Sequence, residues 1–395
     1  MLLGVGVAAL ALVWVVQGRR PELEVWHRHA PASELRAGDP DADLAAYRAR
    51  EERVFAEMAG ILAPAVDRME PWNRYRSPVA RDLVARLGGE RTFEIVEIGT
   101  PAPRGVAVLL HGLSDSPYSL RGVGRVLAAA GWEVIALRLP GHGTVPAGLL
   151  EATWLDWRAA VDLAVREADR RAGGRLPLLL AGYSNGAALS LDYALRALDD
   201  RELPRPARLV FLSPGFAVPG AAAAAPWLVR ASRLPGLERL AWTDLLPEFD
   251  PFKYNSFPVN AGAQIHHLTT AVEARLAALE KDGRLGEVPP VLCLQSVVDS
   301  TIAPLPSLRR LFGRLRGAGN ELVLFDVNRL PGIEALLRPG ALELTQLFEG
   351  TRGVARRSEV PFTVTLVTNV SPGGLAVEAR TRAPGHEEIA VEPLD

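Results

Sequence analysis

From residue 93 onward, short apolar runs alternate with stretches of helical periodicity, and this alternation restricts the fold more than any other feature of the chain. Residues 93–98, 105–110, 132–139, 176–181, 208–212, 291–296 and 321–327 read as strands. Between them Leu120, Val123, Leu127 and Ala130 mark one helical face, Trp154, Trp157, Val161 and Ala164 a second, and Ala188, Leu191, Leu195 and Leu198 a third. Strand–helix alternation of this kind predicts an α/β fold with a mostly parallel sheet covered by helices on both faces. The 395 residues, 48% of them hydrophobic, supply the core such a domain needs.

Residues 214–287 interrupt the alternation with prolines, an alanine run at 221–225, and the aromatics Phe216, Trp227, Trp242, Phe249, Phe252, Tyr254 and Phe257. This is the size of a lid inserted between strands. After residue 327, two alternating runs at 362–370 and 375–382, joined by Ser371-Pro372-Gly373-Gly374, predict an added β-hairpin within a C-terminal extension, 328–395. Residues 21–92 read as a polar stalk or packing extension with helical patches and no evident chemistry.

At the N-terminus, residues 2–16 are uninterrupted apolar or Gly, followed by Arg19 and Arg20. The expectation is a single-pass anchor helix over residues 1–20 that ties the protein to a membrane; which side the body occupies stays open, as does oligomeric state. A net charge of −2 with scattered arginines gives no electrostatic reason to expect nucleic acid. The lone Cys293 lies in an apolar strand and forms neither an internal disulfide nor a cysteine metal cluster.

The strongest chemical signal is Gly182-Tyr183-Ser184-Asn185-Gly186, placed after a strand and at the start of a helix. That context is the nucleophile elbow: the glycines allow a turn tight enough to lift the Ser184 hydroxyl above the sheet, and the helix aims its unpaired N–H groups at the same point. A second signal, His111-Gly112-Leu113-Ser114-Asp115-Ser116, ends an earlier strand. The N–H groups of Leu113 and Asn185 together predict an oxyanion hole. His111 and His142, the latter in Pro140-Gly141-His142-Gly143, read as loop-ordering residues.

Taken in order, His111-Gly112-Leu113, Pro140-Gly141-His142-Gly143, Trp154-Leu155-Asp156-Trp157 and the elbow resemble the monoacylglycerol lipase and carboxylesterase branch of the α/β-hydrolases, often grouped as serine aminopeptidase S33. The resemblance covers about residues 93–327, is weak in the lid, and is absent before residue 90. It implies that Asp299, in the loop Ser296-Val297-Val298-Asp299-Ser300, is the triad carboxylate, with Asp326 in reserve. It also implies a histidine after the last core strand, near Val327-Asn328-Arg329-Leu330, where the sequence has none. Three explanations stand side by side: a histidine beyond Asp395, recruitment of His386, or service by His111, His142, His266 or His267, the site being inactive if none serves. His266-His267 is a weak candidate for a metal pair.

The expected activity is hydrolysis of a small-molecule or lipid-like carboxylic ester through an acyl-enzyme, with no metal or organic cofactor. Alternatives on the same fold are a peptidase, a thioesterase or an acyltransferase; from another class, a membrane-tethered binding protein without catalysis.

Overall fold

The computed structural model describes residues 18–39, 43–87, 90–95, 103–216, 225–299, 304–315, 319–328, 360–371, 373–386 and 388–394. Among the helices that precede the sheet are α1 (Leu44–Leu62), capped by the Asp43 carboxylate accepting from the Ala46 N–H, and α2 (Pro78–Leu87). The strands β1 (Phe93–Ile95), β2 (Gly105–Leu110), β3 (Trp132–Leu137), β4 (Leu178–Tyr183) and β5 (Arg208–Leu212) follow. Helices α3 (Arg121–Ala129), α4 (Trp154–Ala172) and α5 (Asn185–Ala197) connect them, and α6 (Ala225–Ala231) follows β5.

A two-stranded ribbon of β6 (Trp242–Asp244) and β7 (Phe257–Pro258) lies in the insertion, whose long helix is α7 (Val259–Lys281). Next come β8 (Val291–Ser296), α8 (Pro304–Phe312), β9 (Glu321–Asp326), β10 (Thr363–Asn369), β11 (Val377–Arg382) and β12 (Ala390–Leu394). The large sheet has the order β1-β3-β2-β4-β5-β8-β9-β10-β11-β12. From β3 to β10 neighbouring strands are parallel; β1 runs antiparallel to β3, and β11 antiparallel to β10 and β12.

Every residue of β2 is buried. Its alternate side chains serve two cores: Val106, Val108 and Leu110 join Trp157, Leu180 and Leu191 on one face, while Ala107 and Leu109 join Leu120, Ala128 and Val134 on the other. This is the two-sided burial that makes a parallel strand read as a continuous apolar run. Helix α5 has buried residues on all its sides, because it packs both on the sheet and against α7.

The N-terminal segment is fastened to this body by charge. Arg138, at the end of β3 and without exposed surface, donates to both carboxylate oxygens of Glu34 at 2.9 and 3.0 Å and to Glu51 at 2.9 Å. The Tyr47 hydroxyl donates to the Arg138 carbonyl at 2.5 Å. A buried cation with two carboxylates on it holds residue 34 and helix α1 in fixed positions.

The expected membrane anchor needs correcting. Residues 1–17 lie outside the described residues, and among those described no helix is long and apolar enough to cross a membrane. A run over residues 2–16 spans about 23 Å as a helix, short of a hydrocarbon core of about 30 Å. Where the description begins, the chain is engaged with the body: Arg20 donates to the carbonyls of Arg239 and Thr243 at 2.8 and 3.0 Å, and Trp26 and His27 are buried. The reading of a membrane location fails with the anchor.

Candidate active site

Strand β4 ends in a turn at which Ser184 takes φ 52° and ψ −110°, a left-handed conformation for a residue with a side chain. Such a strained backbone persists only where its surroundings hold it. Here the Ser184 N–H donates to the Leu212 carbonyl at 3.0 Å, and its own carbonyl accepts from Ala187 and Gly215 at 3.1 and 3.2 Å. Two glycines make the turn possible. A β-carbon on Gly182 would stand 2.3 Å from the Ala187 nitrogen, and one on Gly186 1.9 Å from the Leu110 oxygen. Ser184 is half-buried, and Asn185 opens α5, so its N–H is one of the helix's unpaired donors.

The loop after β2 faces the elbow. Gly112 is pressed against Tyr183: a β-carbon on it would meet the Tyr183 ring at 2.9 Å. Leu113 follows, half-buried, with an N–H that no described backbone carbonyl accepts. Ser114 (φ 64°) turns the loop back, and the Asp115 N–H donates to the Gly112 carbonyl at 3.3 Å. The register pairs Leu110 with Gly182, so the loop that carries Leu113 and the turn that carries Ser184 and Asn185 leave the same edge of the sheet from neighbouring strands.

His111 and His142 hold this loop from beneath. The His111 Nε2 accepts from the Leu139 N–H at 3.0 Å, so the proton sits on Nδ1, which faces the Gly112 carbonyl at 2.9 Å. Burial pushes its pKa well below the ordinary imidazole value. The two rings pack edge-on with centroids 5.0 Å apart, and Trp157 lies against His142. The His142 Nδ1 faces the Pro140 carbonyl at 3.0 Å, and burial pushes its pKa down to about 3. With both nitrogens of His111 engaged, it has no lone pair to offer a nucleophile.

Asp299 stands at the same sheet edge, in the loop after β8, two strands from the elbow. Two strand spacings separate β8 from β4 by about 10 Å. Asp299 is half-buried, and its Oδ2 accepts from the Gln295 Nε2 at 3.4 Å. Burial raises the Tyr183 phenol, and the charges of Asp115 and Asp299 raise it further, so both carboxylates act on the residue before Ser184. Asp326 ends β9, buried, one strand farther out.

All seven histidines fall within the described residues, and none lies after β9 where the triad order requires one. His386 is exposed in the turn between β11 and β12. Because β11 runs against the parallel strands, that turn lies at the opposite edge of the sheet from Ser184 and five strands across, about 24 Å sideways alone. His386 is therefore not brought to the site. His266 and His267 sit on α7, on the far side of α5 from the sheet. His27 is bound between Ser256 Oγ and the Glu24 N–H, each at 3.0 Å. Among the described residues no group of three or more His, Cys, Asp or Glu side chains could hold a metal.

One site residue escaped the sequence reading. Asp115 is only 9% exposed, folded over Gly112 with its Oδ2 3.4 Å from where a β-carbon there would stand. Burial pushes its carboxyl up to about 7, Lys253 drawing it down and Asp250 pushing it up. Both of these belong to the insertion, which closes over the loop: the Tyr254 N–H donates to the Ser114 carbonyl at 2.8 Å, and Phe252 stacks on Tyr118 with centroids 3.6 Å apart. The only signal in the sequence was an aspartate two residues after Leu113.

Strand order, crossover helices and a serine elbow at the end of the central strand define an α/β-hydrolase. The chain belongs to the serine aminopeptidase S33 family, whose profile matches residues 101–328. It is 26% identical over 203 residues to a thermostable monoacylglycerol lipase from Bacillus sp. (strain H-257), covering 51% of this chain and 73% of that one. Among solved structures, a metagenome-derived lipolytic enzyme matches 61% of this chain and 89% of its own at 23% identity and TM-score 0.47. The monoacylglycerol lipase of Paleococcus ferrophilus matches 62% and 93% at 21% identity and TM-score 0.43.

Proposed function

We propose that this chain hydrolyses carboxylic esters through an acyl-enzyme formed on Ser184. The reading rests above all on the left-handed backbone at Ser184, a conformation kept at functional turns. In this account the Ser184 Oγ attacks the ester carbonyl, and the Leu113 and Asn185 N–H groups take up the charge on its oxygen. Asp299 orients and balances the group that transfers the proton. The collapsing intermediate expels the alcohol, and water then releases the acid by the same steps.

A lipid-like acyl group suits the aromatic insertion, where Phe216 is buried and Trp227 and Phe249 are largely exposed. The relative described as a monoacylglycerol lipase supports the same substrate class. Peptide, thioester and acyl-transfer chemistry use the same machinery and are separated by substrate, not by fold.

A second reading, a binding protein without turnover, draws on the one observation that no histidine follows β9 in residues 327–385. The two are distinguished by hydrolysis of p-nitrophenyl butyrate and of a monoacylglycerol by the wild type and Ser184→Ala. The enzyme reading expects a burst of nitrophenol and a loss of about a thousandfold or more in the variant. Saturable binding of the monoacylglycerol with no release of product by either protein supports the second reading.

A further inference from the structure

The loop that offers the Leu113 amide also buries a carboxyl. Asp115 lies two residues beyond Leu113, so their backbones are within about 7 Å. Its side chain turns back over Gly112 beside the Tyr183 ring, and the 250–254 segment of the insertion seals it from above through the Tyr254–Ser114 hydrogen bond and the Phe252–Tyr118 stack. The groups facing it are few. From the insertion come the Lys253 ammonium and the Asp250 carboxylate; from β4, the Tyr183 phenol; from its own loop, the Ser116 N–H. Lys253 is exposed, so its charge reaches Asp115 weakened by water.

A reaction that places negative charge on an oxygen at the Leu113 and Asn185 amides is opposed by a carboxylate on the same loop, and is not opposed by a carboxylic acid there. We propose that Asp115 has to be a neutral carboxylic acid for Ser184 to react, so that one loop carries both the oxyanion amide and the group that shuts the site when it ionises. Asp115 acts here as a positioning residue, through the potential at the hole. The proposal rests on the reading of Ser184 as the nucleophile. It adds that turnover favours neutral to mildly acidic conditions, and that the insertion tunes this range through two opposed charges.

The sign follows from the burial of the group. A carboxyl pushed up to about 7 is protonated below that pH and charged above it. The reaction of Ser184 then declines as pH rises through about 7. At an effective dielectric near 20, a charge about 7–10 Å from a developing oxyanion slows the reaction by about ten- to a hundredfold.

The test is the rate at which an uncharged alkyl fluorophosphonate labels Ser184 between pH 5 and 9, in the full chain. The wild type is expected to show a falling limb centred near 7, and Asp115→Asn to lose that limb. Lys253→Ala moves the limb to higher pH, because a cation that favours the charged form is gone. Asp250→Asn moves it to lower pH, because a repelling carboxylate is gone, while the hydrogen bonds its oxygen accepts from Phe252 and Lys253 are retained. Opposite shifts from the two insertion variants are beyond any purely structural role, and they keep the test open if Asp115→Asn does not fold. A wild type labelled with no falling limb, or one whose limb persists unchanged in Asp115→Asn, overturns the proposal and leaves the nucleophile assignment standing. A wild type in which Ser184 takes no label at any pH overturns both.

Discussion

A β-carbon on Gly186 would stand 1.9 Å from the carbonyl oxygen of Leu110, so the helix that starts after Ser184 and the strand that feeds the Leu113 loop touch backbone to backbone. This contact fixes the distance between the two halves of the site. No side chain intervenes that could adapt.

Gly186→Ala therefore forces β2 and α5 apart. The expected loss is about 3 kcal/mol or more of unfolding free energy, at the upper end for point substitutions, together with loss of Ser184 reactivity. Urea unfolding checks it; a midpoint within error of the wild type would show that the contact yields more easily than its geometry implies.

Asp299→Asn keeps the shape of the side chain and removes its charge. With Asp299 as the orienting carboxylate, kcat falls by about a thousand- to ten-thousandfold while KM changes little. Asp326→Asn should leave kcat within about threefold. Steady-state kinetics on one ester decide between them, and the reverse pattern would move the assignment to Asp326.

Arg138→Met leaves Glu34 and Glu51 facing each other in a buried site without their cation. Breaking a buried pair in this way costs about 3–5 kcal/mol. Adding Glu34→Gln and Glu51→Gln should restore part of that, because the uncompensated charge is removed. Denaturant midpoints of the single and triple variants check this; equal midpoints would mean the carboxylates are protonated or hydrated instead.

Burial pushes His27 down to about 4, while in the unfolded chain it titrates near 6.5. Below 6.5 the unfolded chain binds a proton that the folded one refuses. The contribution of His27 is thus complete above that pH and is lost as pH falls toward 4, by about 3 kcal/mol in all. His142, pushed down to about 3, adds in the same sense over a wider window. Asp115, pushed up, works oppositely between about 4 and 7. The clean observable is the difference between wild type and His27→Gln in urea midpoint at pH 7.5 and pH 4.5. His27→Gln should lose less stability on acidification, and equal losses would contradict the account.

The central sheet was legible because each strand is short, apolar and followed by a helical face, and the elbow because its glycines are demanded by contacts with Ala187 and Leu110. The N-terminal segment was not. Its role depends on Arg138 meeting Glu34 and Glu51 across 104 and 87 residues, a pairing that no local pattern encodes. The anchor expectation rested on residues 2–16, which lie outside the described residues, and among those described no helix is long and apolar enough to cross a membrane. His386 could be excluded only once the direction of β11 was known, since a one-dimensional order gives no sheet edge. Nothing local in the sequence marks Asp115 as buried, because the 250–254 segment that covers it lies 135 residues or more downstream.

The most direct check of the whole account is peptide mass spectrometry of the full chain after reaction with a fluorophosphonate. The adduct is expected on the peptide containing Ser184 and nowhere else, and is absent after Ser184→Ala. An adduct on another serine, or one that survives the substitution, would contradict it.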